Sequence, residues 1–346
     1  MHSDILNDKN TRVVSGARTT GPLHLGNYHG ALKNWVSLQT KYKCFFFAAD
    51  WHALTTEYEH PEKIAEFTQE MVLDWLGAGL DPNHATLFIQ SDVPEHAELH
   101  VLLSMITPLS WLERVPTYKE LRNKLKEKHL ATYGFLGYPL LQSADILIYK
   151  PAFVPVGEDQ VSHIELTREI ARHFNHLYQE RVKTPLFPEP QALLTQSAKM
   201  PGLDGQKMSK SYHNTIGLRE DPKSIEHKIK TMPTDPARVR RTDKGEPEKC
   251  PVWRFHQVYS SKAVQEWVQV GCRTAGIGCL ECKAPVIKAV LEETAVIRER
   301  AEPYQKNPAL VKEILQEGCR VARKKAHETL EETRTIMGLS KHEEQL

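Results

Sequence analysis

Two short segments hold the residues best suited to chemistry. Lys207-Met208-Ser209-Lys210-Ser211 places two ammonium groups three residues apart, with Ser209 and Ser211 adding hydroxyls, on a polar stretch preceded by Gly202 and Gly205. Cations and hydroxyls so arranged suit a polyphosphate whose charge must be stabilised transiently. His24-Leu25-Gly26-Asn27 closes a turn containing Thr19, Thr20 and Gly21 and opens a helical pattern. A strand, a turn and a helix start present free N–H groups and partial positive charge to a phosphate. His24 adds a donor there, and Gly26 would let a ligand approach the backbone closely. Taken singly, each segment has a plainer reading: two glycines that shape a turn, and a solvated Lys/Ser loop.

A third group is Cys250, Cys272, Cys279 and Cys282, crowded into 33 residues. The CxxC pair can bite one metal through one turn, and two more thiolates complete four ligands. By count zinc is the first reading. An iron–sulfur cluster also takes four cysteines, and four unpaired buried thiols remain the plain alternative. Cys44 and Cys319 read as packing residues.

The elements that must position these groups follow from apolar patterning. Arg12 to Ala17, Cys44 to Asp50, Thr86 to Gln90, Ala152 to Val156 and the stretch near Ala192 read as strands, the second almost wholly apolar as a central parallel strand would be. Helical patterns alternate with them: after Gly26, over 61–80 (started by Pro61 and ended by Gly77 and Gly79), through much of 94–150, and over 160–178. This is the signature of a doubly wound, Rossmann-like α/β domain. From about 216 charged amphipathic helices replace strands, notably 284–303 and 308–338, which divides the chain into an α/β domain, 1–215, and an all-helical one, 216–346.

Composition bounds the rest. The 346 residues carry 45 Lys+Arg and 44 Asp+Glu, with 40% hydrophobic residues, as folded domains do. No run is long and apolar enough to span a membrane, and the first residues lack the apolar stretch of a secretion signal, so a cytoplasmic protein is expected. The net charge of +1 conceals two basic stretches, 119–129 at net +3 and 223–241 at net +4, either of which suits a nucleic-acid backbone.

Together the two loops resemble the paired signatures of class I aminoacyl-tRNA synthetases, and within that class the chain resembles the tryptophanyl family. Carrying the resemblance are Gly26 to Leu32, Ala144 to Tyr149, Val154 to Gln160 and His163 to Arg168. It implies ATP and Mg²⁺, L-tryptophan and tRNA(Trp) as partners, a homodimer, and a helical anticodon-binding domain. ATP falls to Arg18, Thr19, Thr20, Gly26, Asn27, Gly157, Glu158, Asp159, Lys199, Met200, Lys207, Met208, Ser209, Lys210 and Ser211. His24, Asn27, Lys207 and Lys210 would assist the chemistry. Asp145 would accept the indole N–H, with Tyr138, Gln142, Gln160 and His52 around the amino acid. His52 reads equally as a structural histidine. The apolar neighbours of Asp145, Leu140 to Ile148, argue against a surface acid.

The same resemblance tips the cysteines toward the subgroup with a [4Fe–4S] cluster, zinc staying the alternative, with Arg238, Arg240 and Arg241 beside it as candidate RNA contacts. Arg18 and Gln142 depart from the commoner bacterial residues and imply a more polar pocket rim. No editing insertion is expected. Two other functions remain: an adenylating enzyme without tRNA, which the helical domain disfavours, and a non-catalytic RNA-binding cluster protein, which the intact Lys207–Ser211 loop disfavours.

Overall fold

A computed structural model describes residues 10–116, 118, 132–194 and 200–339. Lys199 and the basic stretch 119–129 lie outside the described residues. Five strands, β1 (Arg12–Arg18), β2 (Lys43–Ala49), β3 (Ala85–Ile89), β4 (Phe153–Val156) and β5 (Gln191–Leu194), form one parallel sheet in the order β3-β2-β1-β4-β5. The expected α/β class is therefore observed, and the order reverses between β1 and β4.

Both faces of the sheet are buried, as the nearly continuous apolar run of β2 requires. Cys44, Phe46 and Ala48 point into one core and Phe45, Phe47 and Ala49 into the other, the period of two expected of a strand. The first core is closed by Leu25, by α2 (Lys33–Leu38) through Trp35, and by α4 (Ile64–Ala78) through Met71 and Trp75. The preceding α1 (Leu25–Asn27) joins α2 through a π-helical turn, Tyr28–Leu32; α3 is Asp50–Glu57. The second core is closed by α5 (Glu95–Ser104), α7 (Tyr133–Leu147) and α8 (Val161–Leu177), with the short α6 (Leu109–Glu113) beside them.

The C-terminal helices are α9 (Pro222–Thr231), α10 (Pro251–Tyr259), α11 (Lys262–Arg273), α12 (Cys279–Lys306) and α13 (Pro308–Met337). Helices α9, α10, α12 and α13 bury residues in the cores that flank the sheet, whereas α11 packs through Val268 in a separate small cluster with Trp253 and Ile277. Val286, Val290 and Ile297 of α12 join the first core. Helix α13 crosses between cores: Val311 and Leu315 lie in the first, Ala322, Ala326 and Leu330 in the second. The crossing passes over β3, the edge strand, and so covers an edge that would otherwise offer unpaired backbone groups. Gly318 makes the crossing possible, since a Cβ there would stand 1.8 Å from the Leu87 carbonyl oxygen.

Helix ends follow local sequence. Asp221 accepts from the N–H groups of Lys223 and Ser224, and Asn307 from that of Leu310, each followed by a proline at the first helical position. Gly79 ends α4 with φ of 107°, a left-handed conformation that glycine adopts without strain.

Replacing Gly318 with alanine forces the helix off the strand, because the neighbour is backbone and cannot rotate away. Gly318→Ala is expected to lower unfolding free energy by about 3 kcal/mol, read from urea unfolding. Gly134→Ala, where a Cβ meets nothing within 4 Å, is the comparison, and equal midpoints for the two variants would refute this account.

Candidate active site

In an open parallel sheet the crevice at the strand C-termini, where the order reverses, is the place left free for a ligand. Here a cavity of about 730 Å³ occupies it, lined by the ends of β1 and β4 and by α3 and α7. Of the residues expected from sequence, it brings together Arg18, Thr20, His24, Asn27, His52, Tyr138, Gln142, Asp145, Gly157, Asp159, Gln160, Ser209, Lys210 and Ser211. Thr19, Gly26, Glu158, Met200, Lys207 and Met208 stand behind or beside this lining.

The two signature loops touch each other. His24 and Gly217 form an antiparallel bridge, Leu25 N–H donates to the Ile216 carbonyl (3.0 Å), and Leu218 N–H to that of Leu23 (3.1 Å). The 207–211 segment folds over this base. Asn214, buried, pins it: its Oδ1 accepts from Ser209 N–H at 2.8 Å and its Nδ2 donates to the Lys207 carbonyl at 3.1 Å. The Lys210 ammonium reaches the Thr20 carbonyl at 3.2 Å. Asp74, buried in α4, accepts from Leu23 N–H at 2.7 Å and from Arg219 Nε at 2.6 Å, joining the first loop to the chain beyond the second. Asn214, Asp74 and Arg219 carry no sequence signal.

Three expectations change in detail. Gly26 faces the second loop: its N–H points at the Met208 sulfur (3.3 Å), and a Cβ would collide with the His24 ring (2.8 Å). The missing side chain thus makes room for the two loops to close. Met200 supports the second loop, its carbonyl accepting from Met208 N–H at 3.4 Å. Asn27 uses its Oδ1 to accept from His24 N–H at 3.1 Å, fixing the helix start.

Electrostatics suit an anion at this end. Burial, then the neighbouring Lys210, lowers the His24 pKa to about 4, so the imidazole is a neutral donor near pH 7. Burial also lowers the Lys210 pKa to about 8, with Asp74 opposing the shift. Thr19 Oγ1 and His24 Nδ1 are buried without hydrogen-bond partners among the described residues, and such groups call for a missing polar neighbour.

At the other end Asp145, in α7, has no exposed surface. His52 Nε2 stands 2.8 Å from its Oδ2, His96 Nδ1 2.7 Å from Oδ1, and Gln90 Nε2 within 2.8 and 2.9 Å of both oxygens. Burial pushes the carboxyl pKa up, but the hydrogen bonds from His52 and His96 outweigh it and hold the group below the usual range. Gln90 and His96 were not found from sequence, because nothing in their spacing marks them.

The four cysteines also converge. Burial pushes the Cys282 thiol up to about 12, with Cys250, Cys272 and Cys279 adding to the shift, and all four are free. Buried Arg238 sends Nη1 toward Cys272 Sγ (3.8 Å), and buried Lys283 donates to the Lys230 and Met232 carbonyls, both at 2.7 Å. Among the described residues no group of three His, Cys, Asp or Glu side chains is placed to hold one metal ion. Arg238 is not the RNA contact expected, since it is buried and spends Nη2 on the carbonyls of Ile277 (2.8 Å) and Arg241 (3.1 Å). Arg240 and Arg241 remain exposed.

Residues 6–293 match the family described as tRNA synthetases class I (W and Y). The chain is 55% identical to the tryptophan–tRNA ligase of Ralstonia nicotianae, over 95% of this chain and 98% of that one. It is 52% identical to that of Thermotoga maritima, over 95% and 99%. A crystal structure of tryptophanyl-tRNA synthetase from Campylobacter jejuni complexed with ADP and tryptophan superposes with a TM-score of 0.84 at 33% identity, covering 95% of this chain and all of that one.

The Lys210 ammonium gives this site a pH signature. Only the charged form attracts phosphate, and the lowered pKa means that charge is lost as pH rises through about 8. Titration calorimetry with ATP, already fully ionised by about pH 7.5, should show affinity falling by up to about tenfold per pH unit above about pH 8. Lys210→Gln should bind weakly with no such fall, and the same fall in that variant would assign it to another group.

Proposed function

The chain belongs to the class I tRNA synthetases of the W and Y family, and we propose that its cavity joins L-tryptophan to ATP and passes the product to tRNA(Trp). A tryptophan carboxylate oxygen attacks the α-phosphorus. The new O–P bond forms as the bond to the β-phosphate oxygen breaks, and pyrophosphate departs. The 3′-terminal ribose hydroxyl then attacks the activated carbonyl and AMP leaves. One observation carries the reading: a single cavity has an anion-binding end at Lys210, Thr20 and His24 and a buried carboxylate, Asp145, at the other.

The roles are those that the family resemblance implies for these positions. Lys210, with Lys207, Ser209 and Ser211 of the same loop, stabilises the pyrophosphate as charge develops on it. His24 and Thr19 supply uncharged donors, and Arg18, Thr20, Asn27 and the backbone at Gly26 complete the phosphate cradle. Gly157, Glu158 and Asp159 take the ribose and Met200 the adenine, and by family resemblance Lys199, outside the described residues, joins Met200. Mg²⁺ arriving with the nucleotide supplies further charge neutralisation. Asp145 accepts the indole N–H, and His52, Tyr138, Gln142 and Gln160 surround the amino acid. A buried acceptor left unpaired by phenylalanine discriminates far more strongly than a difference in size.

The helical part, 216–346, is the anticodon-binding domain in this reading, with 1–215 the catalytic one. Cys250, Cys272, Cys279 and Cys282 there hold a [4Fe–4S] cluster, which serves structure and presents exposed Arg240 and Arg241 to RNA. What supports it is four free thiols near one another with the buried Arg238 guanidinium directed at Cys272, fitting a net negative group. Exposed Val101, Met105, Leu109 and Tyr133 along α5 to α7 support a homodimer. No helix of the described residues is long and apolar enough to cross a membrane, and the reading places the protein with its tRNA in the cytoplasm.

ATP–pyrophosphate exchange across a panel of amino acids tests the activity. Exchange with tryptophan alone, followed by charging of tRNA(Trp), is expected; exchange with tyrosine instead would keep the family and refute the substrate. Anaerobic purification tests the cluster, with about four iron atoms per chain expected and stoichiometric zinc without iron the contrary result.

A further inference from the structure

If Asp145 is the indole acceptor, its surroundings pose a difficulty. A carboxylate offers about four lone-pair positions, and three donors crowd this buried one: His96 on Oδ1, His52 on Oδ2 and Gln90 shared between both, so that His52 holds the approach from the cavity. An indole N–H cannot simply add to that set. One donor has to give way while the others keep the charge stable.

The three donors are not equivalent. Gln90 and His96 have no exposed surface, whereas the His52 side chain keeps 10% exposure and lines the cavity. His52 is therefore the donor an entering N–H can replace. Gln90 turns its amide nitrogen to the carboxylate although this leaves its own Oε1 buried and without a partner among the described residues. Such an orphan acceptor costs free energy, so the amide orientation reflects the pull of a negative charge.

His96 is held from behind. Its Nε2 lies 2.6 Å from the Tyr149 hydroxyl, and its ring sits among those of Phe47, Phe88 and Tyr149. The Tyr149 hydroxyl has no other hydrogen-bond partner among the described residues, so its O–H donates to Nε2. That fixes the tautomer: the imidazole proton is on Nδ1, aimed at Asp145 Oδ1. Burial raises the Tyr149 pKa well above its ordinary value, and the phenol stays a donor throughout the working range.

We infer that His96, with its tautomer locked by Tyr149, is a positioning residue for substrate selection. Together with Gln90 it anchors Oδ1 and keeps the Asp145 carboxylate ionised and oriented, so that Oδ2 can exchange His52 for the indole N–H. His96 and Tyr149 are placed behind the carboxylate, and their effect is confined to how well the site reads that N–H.

The inference rests on the reading of Asp145 above, and the test separates the two. Pyrophosphate exchange is measured for tryptophan and for β-(3-benzothienyl)alanine, in which sulfur replaces the indole N–H, in the full-length enzyme and in Asp145→Asn, His96→Leu, His96→Asn and Tyr149→Phe. His96→Leu should lose about tenfold or more of the preference for tryptophan, through a raised tryptophan KM. Its ATP KM and its kcat/KM for the analogue should stay within about twofold. Tyr149→Phe, which removes one oxygen, should lose about threefold or more, and it carries the test should His96→Leu not fold. His96→Asn, which restores an N–H donor, should recover most of the loss. An unchanged preference in His96→Leu and Tyr149→Phe, with Asp145→Asn abolishing it, overturns the inference and leaves the reading of Asp145 intact. Equal losses for both substrates would show a packing role and overturn it too. An unchanged preference in Asp145→Asn itself would overturn the reading of Asp145.

Discussion

Strand β1 has to pair with β2 on one side and β4 on the other, and the site depends on that constraint. Connections leaving opposite sides of one strand separate at its C-terminal end, and the crevice between them cannot be filled by either. Everything functional in the molecule is hung on that gap. The first signature loop leaves β1 directly. The second returns after β5 and closes over the first through the His24–Gly217 bridge. Helix α7 delivers Asp145 from the layer of the second core.

A charge in such a place imposes its own requirements. A wholly buried carboxylate is stable only if surrounded by donors, and Asp145 recruits His52 from α3, Gln90 from the end of β3 and His96 from α5. Those elements are fixed by packing well away from the anion end. The C-terminal helices add a second constraint: α13 seals the edge at β3, and His29, in the π-helical turn after the first loop, meets Tyr259 of α10 (3.1 Å) and Glu293 of α12 (2.9 Å). The helix that presents the first loop is thereby braced by the helical part of the chain.

Much of this was legible in the residues. The parallel strands were visible because both faces of each are buried, which removes polar alternation and leaves apolar runs such as Cys44 to Ala49. The two loops were visible because backbone turns and phosphate chemistry demand particular residues at particular spacings. The supporting residues were not. Gln90 and His96 meet Asp145 only through tertiary packing, from up to 55 residues away, and no local rule connects them. Arg238 was misread for the same reason, since a basic stretch looks solvated until a fold buries one of its members. Gly26 was read as ligand space because its neighbours in the second loop, some 180 residues on, cannot be inferred from the turn itself.

That contact bears on how the site can open and close. The Gly26 N–H is met by the sulfur of Met208, and Lys210 among the described residues by a single carbonyl, that of Thr20. A thioether is a weak acceptor, and one neutral carbonyl is a poor return for a partly desolvated ammonium. Both groups are thus held by partners that a phosphate oxygen outcompetes, since hydrogen bonds to an ion are roughly twice as strong as neutral ones. On the function proposed above, an incoming polyphosphate replaces the weak contacts with strong ones. Because the exchanged partners belong to the two loops themselves, binding at the anion end and the position of the second loop are one equilibrium.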